Sequence, residues 1–260
     1  MSGGQGTGTL LLSIDLELGL NHQEPQLQRR LDEVRRQLIQ STRDLGLPAT
    51  WAVADPTLSA ATDSILAAGS GHEIAVLGER AWLGPGCGRV RLGRELTRRF
   101  DCARRAGIAV STLALRGVEQ LPDLDLLLDH GVTALRGPAL DSLAAARKSD
   151  HSPIRFGIWT PPVAWKLPPQ ARWWTPASWL IRREIKRAIR RQAVAHLEID
   201  APRLVAAPEP ALALIGSMLR YAATKRDAGQ LRVQTIGQCA AQALAERTAT
   251  PSRSILRPAA

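Results

Sequence analysis

With 260 residues and a mass of 28.1 kDa, the chain is long enough for one large domain or two small ones with a substantial core. Its 45% hydrophobic and 22% charged residues are an ordinary globular balance, which sets aside disordered and fibrous classes. The formal net charge of +10 fits either an anionic partner (nucleic acid, a membrane surface or an acidic glycan) or an arginine-rich genome, and because no nucleic-acid motif accompanies it, no nucleic-acid partner is expected.

Cys87, Cys102 and Cys239 are odd in number and lack CxxC spacing, which argues against a disulfide framework or thiolate zinc site and fits a reducing compartment. The N-terminus, "MSGGQGTG" (1–8), reads as disordered and has no basic n-region. The apolar run after it stops at an acid within a few residues, so it is neither a signal peptide nor a membrane span. A cytoplasmic protein is expected.

The run "LLLSIDLELGL" (10–20) predicts a first strand that ends near two carboxylates, Asp15 and Glu17. Side chains alternate along a strand, so the two project the same way if the strand extends that far. Like charges so placed need a cation, a basic group or water. Leu27, Leu31, Val34 and Leu38 then recur at helical spacing, with Gly46 as a stop. "PATWAVAD" (48–55) is a second strand, "TLSAATDSILAAGSG" a helix closed by Gly69, and "HEIAVL" (72–77) a third strand. A helix over 89–107 follows, then "IAVSTLALRG" as a fourth strand ending at Arg116, a helix after Pro122, and "VTALRG" as a fifth strand. The segment 138–176, rich in Pro and Trp, reads as irregular. A helix over 177–193 leads to the strand "AVAHLEID"; a helix over about 209–227, the strand "LRVQTI" and a closing helix complete the pattern.

Strands joined by helix-length crossovers call for a parallel sheet covered by helices. Six or seven such units predict one distorted (β/α)7 TIM-like barrel over residues 9–247, with 248–260 as a flexible tail. A doubly wound sheet is the alternative, but no Gly-rich phosphate loop follows the first strand. Barrel chemistry sits at the carboxyl ends of strands. There the sequence places Asp15 and Glu17, Asp55, the stretch Leu77 to Glu79, Arg116, Arg136, and His196 to Asp200. For Asp55, followed by Pro56, a helix cap is the better reading; for His72, a structural hydrogen bond.

The blocks "LLLSIDLELGL", "LGLPATWAVA", "GSGHEIAVLG", "IAVSTLALRG", "AHLEID" and "AGQLRVQTIGQCAA" resemble, in order and spacing, the NodB-type polysaccharide deacetylases (carbohydrate esterase family four). The likeness spans about residues 9 to 245. It implies a distorted (β/α)7 barrel that hydrolyses the N-acetyl group of an amino sugar or a related amide, with a carbohydrate or small amide substrate and a divalent metal held by one Asp and two His. In such hydrolysis the metal polarises the carbonyl and activates water, a carboxylate takes the proton and an imidazolium protonates the amine. By this resemblance Asp15 is the base, Arg116 its orienting partner and His196 the acid. Leu16 stands in the place of the metal-binding Asp, and Leu77 and Ala81 stand where the two histidines are due. The substitutes nearby are Glu17, Glu79 and Asp200. A carboxylate set of that kind favours magnesium or manganese over zinc, and its departure from the family pattern leaves a second expectation open: an inactive deacetylase-fold protein that binds a glycan or a protein partner.

Trp159, Trp165, Trp173 and Trp174 form a sugar-stacking platform on one reading; in a chain with two Phe and one Tyr they are core filler on the other. The stretch "WLIRREIKRAIRR" (179–191) is either an anion- or membrane-surface helix or a barrel helix packed through Leu180, Ile181, Ile185, Ala188 and Ile189 with solvated arginines.

Overall fold

The computed structural model describes residues 7–17, 25–69, 71–84, 86–118, 123–142, 144, 154–167 and 177–249. Strands are labelled β1 (Gly8–Asp15), β2 (Thr50–Val53), β3 (Glu73–Glu79), β4 (Thr112–Arg116), β5 (Ala134–Arg136), β6 (Ile154–Arg155), β7 (Ile158–Trp159), β8 (Trp165–Leu167), β9 (Val194–Asp200) and β10 (Leu231–Gln234). They form one sheet in the order β6-β7-β5-β4-β3-β2-β1-β9-β8, with β10 added beside β1. Every pairing is parallel except β6 with β7. An isolated parallel bridge from Leu140 to Trp165 carries the segment after β5 across to β8, so the sheet curls back on itself. Alternating parallel strands and helices wound this way make a distorted (β/α) barrel.

β1 is the hub. One edge pairs with β9 from Thr9 to Asp15; the other is shared, β10 taking Gly8 to Leu11 and β2 taking Ser13 to Asp15. Its side chains then sort by the period of two. Leu10, Leu12 and Ile14 face outward into the main core with Leu31, Leu38, Ile185 and Leu219 of the surrounding helices. Leu11, Ser13 and Asp15 face the bore, as do His196, Glu198 and Asp200, their register partners on β9.

The bore is filled in layers. At the amino end Leu11, Ala134 and Trp159 pack on Ile236 and Ala240 of the Ile236–Ala249 helix, which plugs that mouth. Glu73 fixes the plug by accepting from Thr50 Oγ1 (2.8 Å), from the Thr112 hydroxyl and from the Gly237 amide (2.9 Å). Above lies a patch of small residues, Ala52, Ala75 and Ala114 with Leu77. The polar layer comes last, toward the carboxyl ends.

Two sequence expectations change. The segment 138–176 contains β6, β7 and β8 where it reads as irregular; these strands are two or three residues long and lie among prolines, too short to show a period. The helix expected up to Gly69 is confined to Thr62–Ala67. Residues 1–6, Trp173, Trp174 and the tail from 250 lie outside the described residues.

Gly8 is required by a close approach. A β-carbon there would lie 2.7 Å from backbone atoms of Ala188 and Ile189, where the Ala177–Arg191 helix crosses β1. Gly8→Ala is expected to lower stability by about 1–3 kcal/mol through overpacking. Gly93→Ala, in the Arg89–Leu96 helix with nothing within 4 Å of the new methyl, is expected to raise it by about 0.5–1 kcal/mol. Opposite shifts of the denaturation midpoint would check the pair; equal shifts would contradict the packing described.

Candidate active site

The inward positions at the carboxyl ends bring Asp15 of β1, Arg136 of β5 and His196, Glu198 and Asp200 of β9 into one interior cluster. All five are buried. β5 is separated from β1 by three strands, so Arg136 must reach across the bore. The alanines on β2, β3 and β4 leave it the room. Its guanidinium grips Asp15 with both terminal nitrogens, Nη1 to Oδ1 at 2.7 Å and Nη2 to Oδ2 at 2.9 Å. Nη1 also donates to Ser13 Oγ (3.2 Å) and lies 3.0 Å from Glu198 Oε2. Such a fork-to-fork pair is the strong form of the arginine–carboxylate contact.

The cluster continues outward. Lys166 Nζ lies 3.5 Å from Glu198 Oε1 and 3.6 Å from Asp200 Oδ2, and Arg203 Nε lies 3.2 Å from the same Asp200 oxygen. Three carboxylates thus face three cations. Asp200 Oδ1 is buried with no hydrogen-bond partner. Burial works against the charge of Arg136, but Asp15 and Glu198 more than offset it and its pKa is raised. Burial pushes the Glu198 carboxyl up to about 7, with Arg136 pulling the other way.

His196 is placed for structure. Its Nδ1 lies 2.9 Å from the Pro162 carbonyl, to which it donates, which leaves Nε2 to accept from Ser13 Oγ at 3.0 Å. Burial pushes its pKa down to about 3. Both nitrogens are hydrogen-bonded, and burial favours the neutral ring near pH 7. The Ser13–His196 pair has the spacing of a nucleophile and its base, but Ser13 is 1% exposed and lies beneath the Arg136 guanidinium.

Arg116 does not orient Asp15. Its Nη1 donates to the Glu17 backbone carbonyl at 2.5 Å, and it pairs in register with Glu79, whose pKa burial raises against the pull of Arg116. The contact with Asp15 expected of Arg116 is made by Arg136. The Glu17 carboxylate accepts from Ser59 Oγ at 3.5 Å. Asp55 caps a turn, accepting from the Thr57 amide and hydroxyl (3.0 and 2.7 Å). His72 Nδ1 accepts from the Ala49 amide (3.2 Å) beside Trp51. Trp159 and Trp165 are buried in the two layers of core, and Trp165 Nε1 donates to the Asp141 carbonyl (3.2 Å); neither ring face is open to a sugar. Ser13 and Lys166 escape sequence reasoning; Glu198 falls within the stretch His196 to Asp200, and the alternation His-x-Glu-x-Asp in "AHLEID" puts it on the face of His196 and Asp200.

No protein-family model and no curated protein matches the chain. Among solved structures, a Mycobacterium smegmatis protein described as a polysaccharide deacetylase aligns over 100% of this chain and 98% of its own, with a TM-score of 0.69 at 18% identity. A Pseudomonas aeruginosa protein described in the same terms aligns over 90% of this chain and 89% of its own, with a TM-score of 0.53 at 11% identity. The chain has the NodB-type deacetylase fold. The 4-alpha-glucanotransferase of Thermococcus litoralis shares it over 89% of this chain and 40% of its own length, with a TM-score of 0.61 at 12% identity.

The divalent ion that the deacetylase resemblance implies does not fit the residues present. Leu16 is turned into the helix-facing core, Leu77 sits in the alanine patch, and Ala81 is exposed on the Arg80–Leu83 helix. The substitute ligands Glu17, Glu79 and Asp200 do not converge: among the described residues no group of three or more His, Cys, Asp or Glu is placed to hold an ion. Asp15, beside the expected ion, is already occupied by a buried cation.

Removing that cation leaves Asp15 buried without its cation and Glu198 with Lys166 alone, so Arg136→Met is expected to cost about 3–5 kcal/mol, read as a loss in chemical denaturation. The two titrating groups have opposite signs. The His196 imidazole is neutral in the fold and charged in the unfolded chain between pH 6.5 and about 3, so stability is lost as pH falls through that window. Glu198 holds its proton in the fold between pH 4.5 and about 7, so its contribution is lost as pH rises through that window. The melting temperature of Glu198→Gln relative to the native chain is therefore expected to climb from pH 4.5 to 7, and a flat difference would contradict the burial effect.

Proposed function

We propose that this is a deacetylase-fold binding protein that takes an N-acylated sugar or related amide at the carboxyl mouth of its barrel and does not hydrolyse it by a metal-assisted route. The observation that carries this reading is the donor set: among the described residues no group of three or more His, Cys, Asp or Glu is placed to hold an ion, and Leu16, Leu77 and Ala81 stand where the resemblance puts its ligands. Asp15 is tied instead to a buried protein cation, Arg136, which takes one lone pair of each carboxylate oxygen at 2.7 and 2.9 Å. Burial favours the neutral form of the His196 ring, which weakens it as a general acid. The carbohydrate class rests on the names of the structures that share the fold, which describe deacetylases of polysaccharides and a glucanotransferase.

What the mouth offers a ligand is hydrogen bonding. Asp200 Oδ1 is an acceptor without a donor, and a buried acceptor of that kind gains most from a ligand hydroxyl or amide N–H. Glu79, half-buried, and Arg116 beside it supply a further acceptor and donors.

Calorimetric titration with N-acetylglucosamine oligomers is expected to show binding, weakened about tenfold by Asp200→Asn, a loss equal to one hydrogen bond to a charged group. Acetate release from the same oligomers, with zinc, manganese or magnesium added, is expected to stay at the level of a protein-free blank. Metal-dependent acetate release abolished by Asp15→Asn would overturn the proposal in favour of an active deacetylase.

A further inference from the structure

On the outside of the barrel, away from the mouth, a groove of about 700 Å³ runs between the Ala177–Arg191 and Pro208–Asp227 helices. Its cations are Arg182, Arg183, Lys186, Arg190 and Lys225, and its wall includes Trp179. A second cleft of about 280 Å³ is lined by four arginines and shares Arg183 and Arg190 with the first, so the two form one basic strip. Among the described residues no carboxylate lines either, and Arg187 of the second cleft pairs with Glu184 on the same helix at 3.3 Å. We infer that this strip is a binding surface for single-stranded nucleic acid.

Three observations select that partner. Among the described residues the polar lining is donors except for Gln230, whose Oε1 already accepts from Lys225 Nζ at 3.0 Å, so it matches a polymer whose repeating polar groups are acceptors. Phosphates are acceptors only, whereas a sugar chain presents hydroxyls that need acceptors as well. A membrane surface fits less well, because the apolar stripe of the helix (Ile181, Ile185 and Ala188) is spent against the barrel and no apolar face remains to enter a bilayer. Trp179 is 51% exposed with the Arg183 guanidinium 5.1 Å from its ring centroid, and Arg182 lies 5.4 Å from the Tyr221 ring. Trp179 in this cationic groove gives a base the stacking surface that a single strand uses, while its phosphates track the charges.

The helix also spaces the charges. Arg183, Lys186 and Arg190 lie three and four residues apart, about 4.5 and 6 Å along the axis, on the side opposite the buried stripe. A duplex would need an element projecting into its groove, and this surface is concave.

The test is fluorescence anisotropy of a labelled single-stranded oligothymidine with the full chain. Four contacted phosphates give a salt slope near −3, so affinity is expected to fall about 50-fold between 50 and 200 mM salt. The double variant Lys186→Gln/Arg190→Gln is expected to halve that slope, and Trp179→Ala to weaken binding about tenfold, a single stacked base being worth about 1–3 kcal/mol. Arg29→Gln/Arg30→Gln removes the same charge from an exposed face of the Pro25–Asp44 helix and is expected to change neither. Unchanged melting temperatures show that all variants fold. No binding of the single strand, an equal loss in the Arg29/Arg30 control, or equal affinity for duplex DNA or phosphatidylglycerol vesicles would each overturn the inference.

Discussion

One guanidinium determines what the inside of this barrel can be. Arg136 leaves β5, crosses the bore and ends between Asp15 on β1 and Glu198 on β9, at 1% exposure. A charge taken out of water to that depth costs several kcal/mol and is tolerated only when paired and hydrogen-bonded on most sides. The surroundings are built to that requirement: two carboxylates, the Ser13 hydroxyl, and a patch of alanines that gives a long side chain its path. A TIM-type interior is ordinarily filled by branched apolar side chains in layers. Here the uppermost layer is ionic, and through Arg136 it ties β5 to β1 and β9, with which β5 shares no backbone ladder.

The same interaction separates fold from chemistry. The architecture is that of polysaccharide deacetylases, established at identities where fold alone is transferable. A metal-assisted hydrolase needs a cation next to its base and lone pairs free for water. This chain pairs Asp15 with a protein cation, and among its described residues no group of three or more His, Cys, Asp or Glu is placed to hold an ion. Leu77 packs in the alanine patch and Leu16 in the outer core, so neither adds a polar atom to the polar layer.

Much of this was readable from residues. The first-strand apolar run, the helix-length crossovers and the alternation in "AHLEID" were sufficient for the barrel and for placing Asp15 and His196 in one interior. What sequence could not supply was register. Along the ladders, Asp15 pairs to Ala52 and then Ala75, Arg136 to Ala114 and then Leu77, and Arg116 to Glu79. Arg136 is therefore one inward position above Asp15 and Arg116 is two, which decides which arginine reaches the carboxylate. Register depends on strand tilt and on partners distant in the chain. β8 escaped notice for a related reason: three residues near Pro161, Pro162 and Pro168 show no alternation, and only their ladder to β9 makes them a strand.

The distribution of charge follows from the same balance. Inside, three carboxylates face three cations, so the interior absorbs none of the net +10. The excess must lie on the outside, and the Ala177–Arg191 helix carries a large part of it, with six basic residues against one glutamate. That helix cannot dilute its charge by turning, because Ile181, Ile185 and Ala188 are needed against the barrel and Gly8 brings its backbone into contact with β1. Its arginines and lysine are thereby directed to solvent as one stripe, next to a second helix whose Lys225 and Tyr221 face them. The packing that closes the barrel is thus also what concentrates positive charge into a groove. Scattered over the surface, the same arginines would signal only composition.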